Sequence, residues 1–332
     1  MHILITGGAG FIGSHLAEYH LARNDSVHVV DNFNTGLYNN IKPMLAHPLF
    51  RFDEADIVTW AGLDKAVGWA DRIYHMAAVV GVKKVLEDPV SVMATNIAGT
   101  ERVMRAMHQG KWNPQLVVAS SSEVYGFNDK SSFAETDDVV FHSGSRLRWC
   151  YAVTKLADES FGYAYAQKYG LNITIARLFN TIGPRQIGQY GMVAPTFVKQ
   201  AVNHQSITVY GDGNQTRSFC DVRDTVTALD LLASAPAARG EIVNVGNDQE
   251  ITIKDLAQLV VDRAKSASPI RFLSYEEAYG VAFEDVSHRR PDLTKLRELT
   301  GFEPQWTLVN TIDDLILRAR THEIPVNETT TG

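Results

Sequence analysis

The stretch ITGGAGFIG, residues 5–13, constrains this chain more than any other. It overlaps the end of the short apolar run HILIT, which reads as a buried strand, and GGAGFIGSHLAEYHLARN reads as a glycine turn opening a helix with apolar positions at Phe11, Leu16 and Tyr19. Gly8, Gly10 and Gly13 give G-x-G-x-x-G, while Gly7, Gly10 and Gly13 give G-x-x-G-x-x-G. Glycines between a strand and a helix permit a tight turn and let backbone amides approach a pyrophosphate, which then rests on the positive helix end. The context matters more than the spacing. Here the next apolar run, SVHVVD, ends in Asp31, where an acid accepts hydrogen bonds from an adenosine ribose and repels a 2′-phosphate. The expectation is NAD rather than NADP. Gly7, Gly10, Phe11, Ile12, Gly13, Asp31 and Asn32 form the first half of the expected cofactor site. Asp56, Ile57 and Ala77 are counted with it, with a plain surface acid as the alternative for Asp56.

Strand-like and helix-like segments alternate to about residue 180. DRIYHMAA, PQLVVASSS and NITIARLFN read as strands, and PVSVMATNIAGTERVMRAMHQ and YAVTKLADESFGYAYAQKYG as helices, the latter closed by Gly170. This alternation predicts an α/β chain with a doubly wound parallel sheet of the Rossmann type. At 332 residues the chain exceeds what one core commonly serves, so a smaller C-terminal α/β lobe is expected to bind substrate. The expected division is 1–180 for the dinucleotide domain, with a returning segment at about 221–250. The second lobe is expected from 181–220 and 251–332, and the polar end NETTTG reads as frayed.

A net charge of −7 argues against a nucleic-acid partner. No apolar run approaches the ~20 residues that span a bilayer. Cys150 and Cys220 form no disulfide framework or zinc spacing, and there is no H-E-x-x-H, so no metal is expected and a reducing cytoplasm suits the chain. HSGSR is not a nucleophile elbow. His75 reads as a packed histidine rather than a base.

Tyr151 and Lys155 lie four apart on one helical face, downstream of the serine cluster SSSEVYG at 120–126. With TGGAGFIG, YAVTK, RLFNTIGPR, VYGDGNQTRSF and HRRPDL, these motifs resemble the extended short-chain dehydrogenase/reductases that modify nucleotide sugars, and the resemblance covers about the whole chain. It implies that Tyr151 takes a proton from the sugar C4 hydroxyl while NAD oxidises that carbon, and that NAD is regenerated each turn. Free tyrosine, with a pKa of about 10, is a poor base at neutral pH. The Lys155 ammonium and the positive nicotinamide are expected to favour its phenolate. Alignment with the family's serine motif gives the relay hydroxyl to Ser121, with Ser122 as the alternative, and Asn96 matches a position near the cofactor.

The same resemblance gives the substrate side. Asn180 matches a diphosphate-binding position, and Arg217 with Arg289 or Arg290 match basic positions of the second lobe. Arginine suits such sites because its fork bonds phosphate or carboxylate oxygens in pairs. Arg185, in GPR, is similar to an arginine of enzymes that handle UDP-glucuronate, so it is expected to pair with a C5 carboxylate. Dehydratases of the family carry Asp-Glu where this chain has Ser122-Glu123, and uronate decarboxylases carry serine or cysteine followed by glutamate. RWCYAVTK and YGVAFEDVSHRRPDL are similar to the decarboxylases, while HMAAVVGVKKVLEDP is more similar to UDP-glucuronate 4-epimerases.

The resulting expectation is NAD-dependent decarboxylation of UDP-glucuronate, with Glu123 acting at C5; the alternative for Glu123 is a structural pairing with a nearby arginine. The alternatives are a UDP-sugar 4-epimerase, then a 4,6-dehydratase, and outside enzymes an NAD-sensing binding module. Relatives dimerise through two helices, so a homodimer is expected, with an aromatic face in SFGYAYAQKYG and a methionine face in VMRAMH; either stripe could also be ordinary core.

Overall fold

The computed structural model describes residues 1–81, 85, 87–141, 149–188, 192–274, 277 and 286–321. HSGSR, the tail NETTTG, most of YGVAFEDV and parts of VGVKKVL and RWCYAVTK therefore lie outside the described residues.

The glycine turn sits between β1 (His2–Thr6) and α1 (Phe11–Ala22), and β2 (Ser26–Asp31) follows. Then come β3 (Phe50–Glu54), α2 (Leu63–Trp69), β4 (Arg72–His75), α3 (Pro89–Gly110), β5 (Gln115–Ser121), α4 (Cys150–Tyr169) and β6 (Ile173–Leu178). Local chemistry sets several of these boundaries. Asp88 caps α3 by accepting from the Ser91 amide at 3.0 Å, with Pro89 in the first turn, where its missing N–H costs nothing. Gly170 ends α4 at φ 67°, a left-handed position that glycine takes without a Cβ penalty.

The remaining elements are β7 (Thr181–Ile182), α5 (Val193–Val202), β8 (Ile207–Tyr210), β9 (Thr216–Ser218), β10 (Cys220–Asp221) and α6 (Val222–Ser234). They continue with β11 (Ile242–Val245), β12 (Glu250–Thr252), α7 (Ile253–Ala264), β13 (Ile270–Leu273), α8 (Thr294–Thr300) and α9 (Leu308–Arg320).

The main sheet has seven strands in the order β11-β6-β5-β4-β1-β2-β3, and every pairing in it is parallel. Helices cover both faces. Leu16 and Leu21 of α1 pack with Val226, Leu229 and Leu232 of α6 on one side. Leu63 and Val67 of α2 pack with Val103, Met104 and Met107 of α3 on the other. Each such fully buried side chain contributes about 1.5–3 kcal/mol relative to exposure. Met104 and Met107 are fully buried, so the methionine stripe is core; it faces the sheet because α3 turns its apolar side inward. The aromatic stripe divides: Phe161 and Tyr165 pack on that core, and Tyr163 and Tyr169 are exposed.

A second apolar cluster, with Phe197, Val209, Leu256, Val260, Ile312 and Leu315, joins α5, β8, α7 and α9. Leu293, Leu296 and Phe302, around α8, pack instead with the sheet. The described residues between 251 and 321 are therefore shared between the two clusters.

Candidate active site

The sheet order reverses direction at β1, whose neighbours β2 and β4 lead to opposite edges. Ligands of open α/β sheets bind beyond the strand ends at such a switch point. A cavity of about 660 Å³ opens there and runs from the glycine turn to the second apolar cluster. Gly7, Gly10, Phe11, Ile12, Gly13, Asp31, Asn32, Asp56, Ile57 and Ala77 line it.

The turn fits a dinucleotide. Gly7 has φ +70°, and a Cβ there would lie 2.6 Å from the Ala77 amide nitrogen, so only glycine permits this approach to the end of β4. A Cβ on Gly13 would run into the Gly7 carbonyl oxygen. Asp31 accepts from the Ala9 amide at 2.9 Å and the Phe33 amide at 2.8 Å, which fixes its carboxyl against the turn. Burial pushes Asp31 up, against the lowering effect of these amides. Asn32 donates to Asp56 at 3.2 Å, and Asp56 accepts from the Val58 amide at 2.8 Å.

Asn96 is placed otherwise than expected. Its amide accepts from the Val79 N–H at 2.7 Å and donates to Val79 O and to Thr154 Oγ1, so it braces the segment after β4 from behind rather than lining the cavity. His75 is buried, bonded to Thr6 at 2.7 Å and Thr100 at 3.0 Å, and burial followed by the Lys155 charge pushes it down to about 3.

Tyr151 and Lys155 both line the cavity from the first two turns of α4. The Lys155 ammonium is 5.9 Å from the Tyr151 ring centre and is bonded to Asp158 at 3.1 Å. This changes the expected electrostatics. Burial, then the Glu123 and Asp158 carboxylates, push the Tyr151 phenol well above its ordinary value, and a hydrogen bond with Ser121 pulls it down.

Ser121, Ser122 and Glu123 also line the cavity where β5 ends. Ser121 caps the following turn, its Oγ accepting from the Glu123 amide at 3.2 Å. Ser120 behind them donates to Glu159 at 2.5 Å, and Glu159 receives two bonds from Arg177, at 2.9 and 2.7 Å. That buried network fixes the strand end carrying the motif.

At the other end, Asn180, Arg185, Arg217 and Arg289 line the cavity, and Arg290 does not. Arg289 lies 3.5 Å from Glu123, whereas Arg290 points to Glu250 at 4.0 Å. Adjacent residues on an extended segment face opposite ways, which separates the two. Asn180 donates to Ser218 O at 3.2 Å. Arg217 donates to Thr216 O and Val286 O at 2.7 and 2.9 Å, tying β9 to the segment before α8. Arg185 bonds Glu18 at 2.7 Å and Ser14 at 3.3 Å, both on α1, so its guanidinium is engaged at the glycine-turn end rather than beside Glu123.

Sequence reasoning passed over Asp158, whose only signal was its place one turn after Lys155. It also passed over Asn34, Thr35, Leu37 and Asn40 on the cavity wall; Asn40 donates to Ala9 O at 2.8 Å and braces the glycine turn. The polar run after Asp31 carried no motif that could single them out.

A glycine turn at the switch point, an acid after the second strand and a tyrosine–lysine pair beside a serine motif define an NAD-dependent α/β enzyme of the nucleotide-sugar type. The chain belongs to the NAD dependent epimerase/dehydratase family, whose model matches residues 3–246. It is 38% identical over 303 residues to the UDP-N-acetyl-alpha-D-glucosaminuronate decarboxylase of Bacillus cytotoxicus, covering 91% of this chain and 92% of that one. It is 35% identical to UDP-glucuronic acid decarboxylase 1 of Danio rerio, over 91% of this chain and 68% of the relative. The UDP-glucuronic acid 4-epimerase of Bacillus cereus, solved with UDP-glucuronic acid and NAD, superposes with a TM-score of 0.87 at 26% identity, covering 97% of this chain and 100% of that one. Among the described residues no helix is long and apolar enough to cross a membrane.

Proposed function

We propose that this protein is an NAD-dependent decarboxylase of a UDP-linked uronic acid, with UDP-glucuronate as the first substrate to test. The observation that carries the reading is the Glu123–Arg289 pair, 3.5 Å apart in the same cavity as Tyr151 and Ser121. An arginine opposite a carboxylate, beside an oxidising centre, suits a sugar acid better than a neutral hexose. The similarity to two uronate decarboxylases supports the same choice.

Gly7, Gly10, Phe11, Ile12, Gly13, Asp31, Asn32, Asp56, Ile57 and Ala77 would hold NAD, with Tyr151 and Lys155 at its nicotinamide end and Asn96 supporting the wall. NAD supplies reversible oxidation at the sugar C4. Tyr151 accepts the C4 hydroxyl proton, and Ser121, with Ser122 beside it, orients that hydroxyl. A ketone at C4 makes the C5 carboxylate a β-keto acid, whose C–C bond electrons can move into the carbonyl as CO2 leaves. Arg289 holds the carboxylate in place until then, and Glu123 handles the proton that C5 must gain. Asn180 and Arg217 take the diphosphate end. Arg185, engaged with α1, serves the cofactor side in this account, so the carboxylate role passes to Arg289.

A second reading, 4-epimerisation, is favoured by the fold likeness to the Bacillus cereus 4-epimerase. In that case C4 is re-reduced from its other face and no carbon is lost. An NAD-sensing module without turnover is the non-enzymatic alternative, and the presence of Tyr151 and Lys155 counts against it. We read 1–180 with the returning strand β11 as the cofactor domain, and 181–220 with α7 and α9 as the substrate lobe. A homodimer through the side of α4 that exposes Val153 and Tyr163, and a cytoplasmic location, complete the proposal.

Glu123→Gln tests the C5 role. The variant should still oxidise the uronate, seen as nicotinamide absorbance in a single turnover, and then release product about 100-fold more slowly. Wild-type turnover in this variant rejects the assignment.

A further inference from the structure

Asp158 has no part in the mechanism; burial pushes its carboxyl up, and the Lys155 charge pulls it back down. Asp158 is fully buried on α4, one turn beyond Lys155, and its Oδ2 takes the Lys155 ammonium at 3.1 Å. Lys155 is itself buried. A buried carboxylate attracts a nearby ammonium strongly because little water competes for either charge. The Tyr151 oxygen needs that ammonium most when it becomes a phenolate, so Asp158 and Tyr151 are rivals for one cation.

We propose that Asp158 is a positioning residue that competes with Tyr151 for the Lys155 ammonium and so sets the pH at which Tyr151 can act as a base. This rests on the reading of Tyr151 as the base, and not on which sugar is bound.

Among the described residues, the surroundings leave Lys155 as the cation for which the two compete. From the turn after β5, Ser121 and Glu123 face Tyr151, and Glu123 is occupied with Arg289. From β4, His75 is bonded to Thr6 and Thr100 and is held neutral by burial. From α3, the Thr100 hydroxyl stands beside Asp158. On α4 itself, Glu159 is engaged by Ser120 and Arg177. Asp158 and Glu123 both disfavour the phenolate, while Lys155 is spent on Asp158. Removing the Asp158 charge removes one repelling carboxylate and frees the ammonium. Both effects act in the same direction, toward an easier phenolate.

The test uses the full chain with and without NAD, and no sugar. Tyrosine labelled at Cζ is followed by NMR, and the Tyr151 resonance is assigned by its loss in Tyr151→Phe. In Asp158→Asn its titration midpoint should fall by about one pH unit, and Asp158→Glu, which keeps the charge, should return it toward wild type. With substrate, the acid limb of the kcat profile should move down by a similar amount while KM stays within about twofold. If the asparagine variant fails to fold, Asp158→Ser replaces it, since the smaller hydroxyl leaves room for water. A midpoint that does not move in the folded variant overturns the proposal, as does no titration in either protein below the pH at which it unfolds. Failure of the uronate reading would leave the NMR result intact, so the two failures are separable.

Discussion

The two ends of the cavity are built differently. The cofactor end comes from short contiguous pieces: the glycine turn at 7–13, the acid at the end of β2, and the first two turns of α4. The proposed substrate end draws Asn180, Arg217 and Arg289 from three segments far apart in sequence. Backbone rules fix the first end, because a strand, a turn and a helix N-terminus place their own atoms. The second end exists only after the two apolar clusters have packed. Errors at the first end should therefore abolish binding outright, and errors at the second should change which substrate is used.

The largest expected effect breaks the cofactor end. Gly7→Val puts a branched side chain at φ +70° and drives its Cβ toward the Ala77 amide nitrogen, 2.6 Å away. NAD affinity measured by calorimetry should fall by about 100-fold or more. Unchanged affinity would mean that the turn does not set the site.

Arg289→Ala comes next and acts at the other end. It removes the guanidinium that lies 3.5 Å from Glu123. KM for UDP-glucuronate should rise about 30-fold, with NAD affinity nearly unchanged, because truncating one member of a buried charge pair is costly. A loss of NAD affinity of the same size would erase the distinction between the two ends.

The smallest effect is on stability and belongs to the cofactor end. His75 is pushed down to about 3, and His15, beside Arg185, to about 4, in each case chiefly by burial. The unfolded chain binds these protons near pH 6.5, whereas the folded chain does not. Stability is therefore complete above about pH 6.5 and is lost as pH falls toward 4. Urea denaturation of wild type and His75→Gln should show the variant losing about 1–3 kcal/mol less between pH 7 and pH 4. Equal losses would remove His75 as a source.

The same division explains what could be read in the chain. The strand–helix alternation, the glycine turn, Asp31 and the pair Tyr151–Lys155 depend on near neighbours in sequence, and a parallel sheet follows from the alternation. Whether Arg289 or Arg290 faces the cavity depends on the orientation of an extended segment, which a doublet of like residues does not encode. The direction of Arg185 depends on Glu18 and Ser14, some 170 residues earlier. The partner of Lys155 was visible as a residue three positions on. Its effect was not, because only burial makes that pairing strong enough to redirect the ammonium. The methionines of α3 had the right spacing for a surface stripe and were drawn into the core by the sheet beneath them.

The central claim is that the cavity removes the carboxyl group of a UDP-linked uronic acid. Purified protein incubated with UDP-glucuronate and NAD, with the nucleotide-sugar product read by mass spectrometry, tests it directly. The expected product is lighter by one CO2, with NAD regenerated. A product of unchanged mass with inverted C4 configuration, or turnover of UDP-glucose but not of the acid, would contradict it.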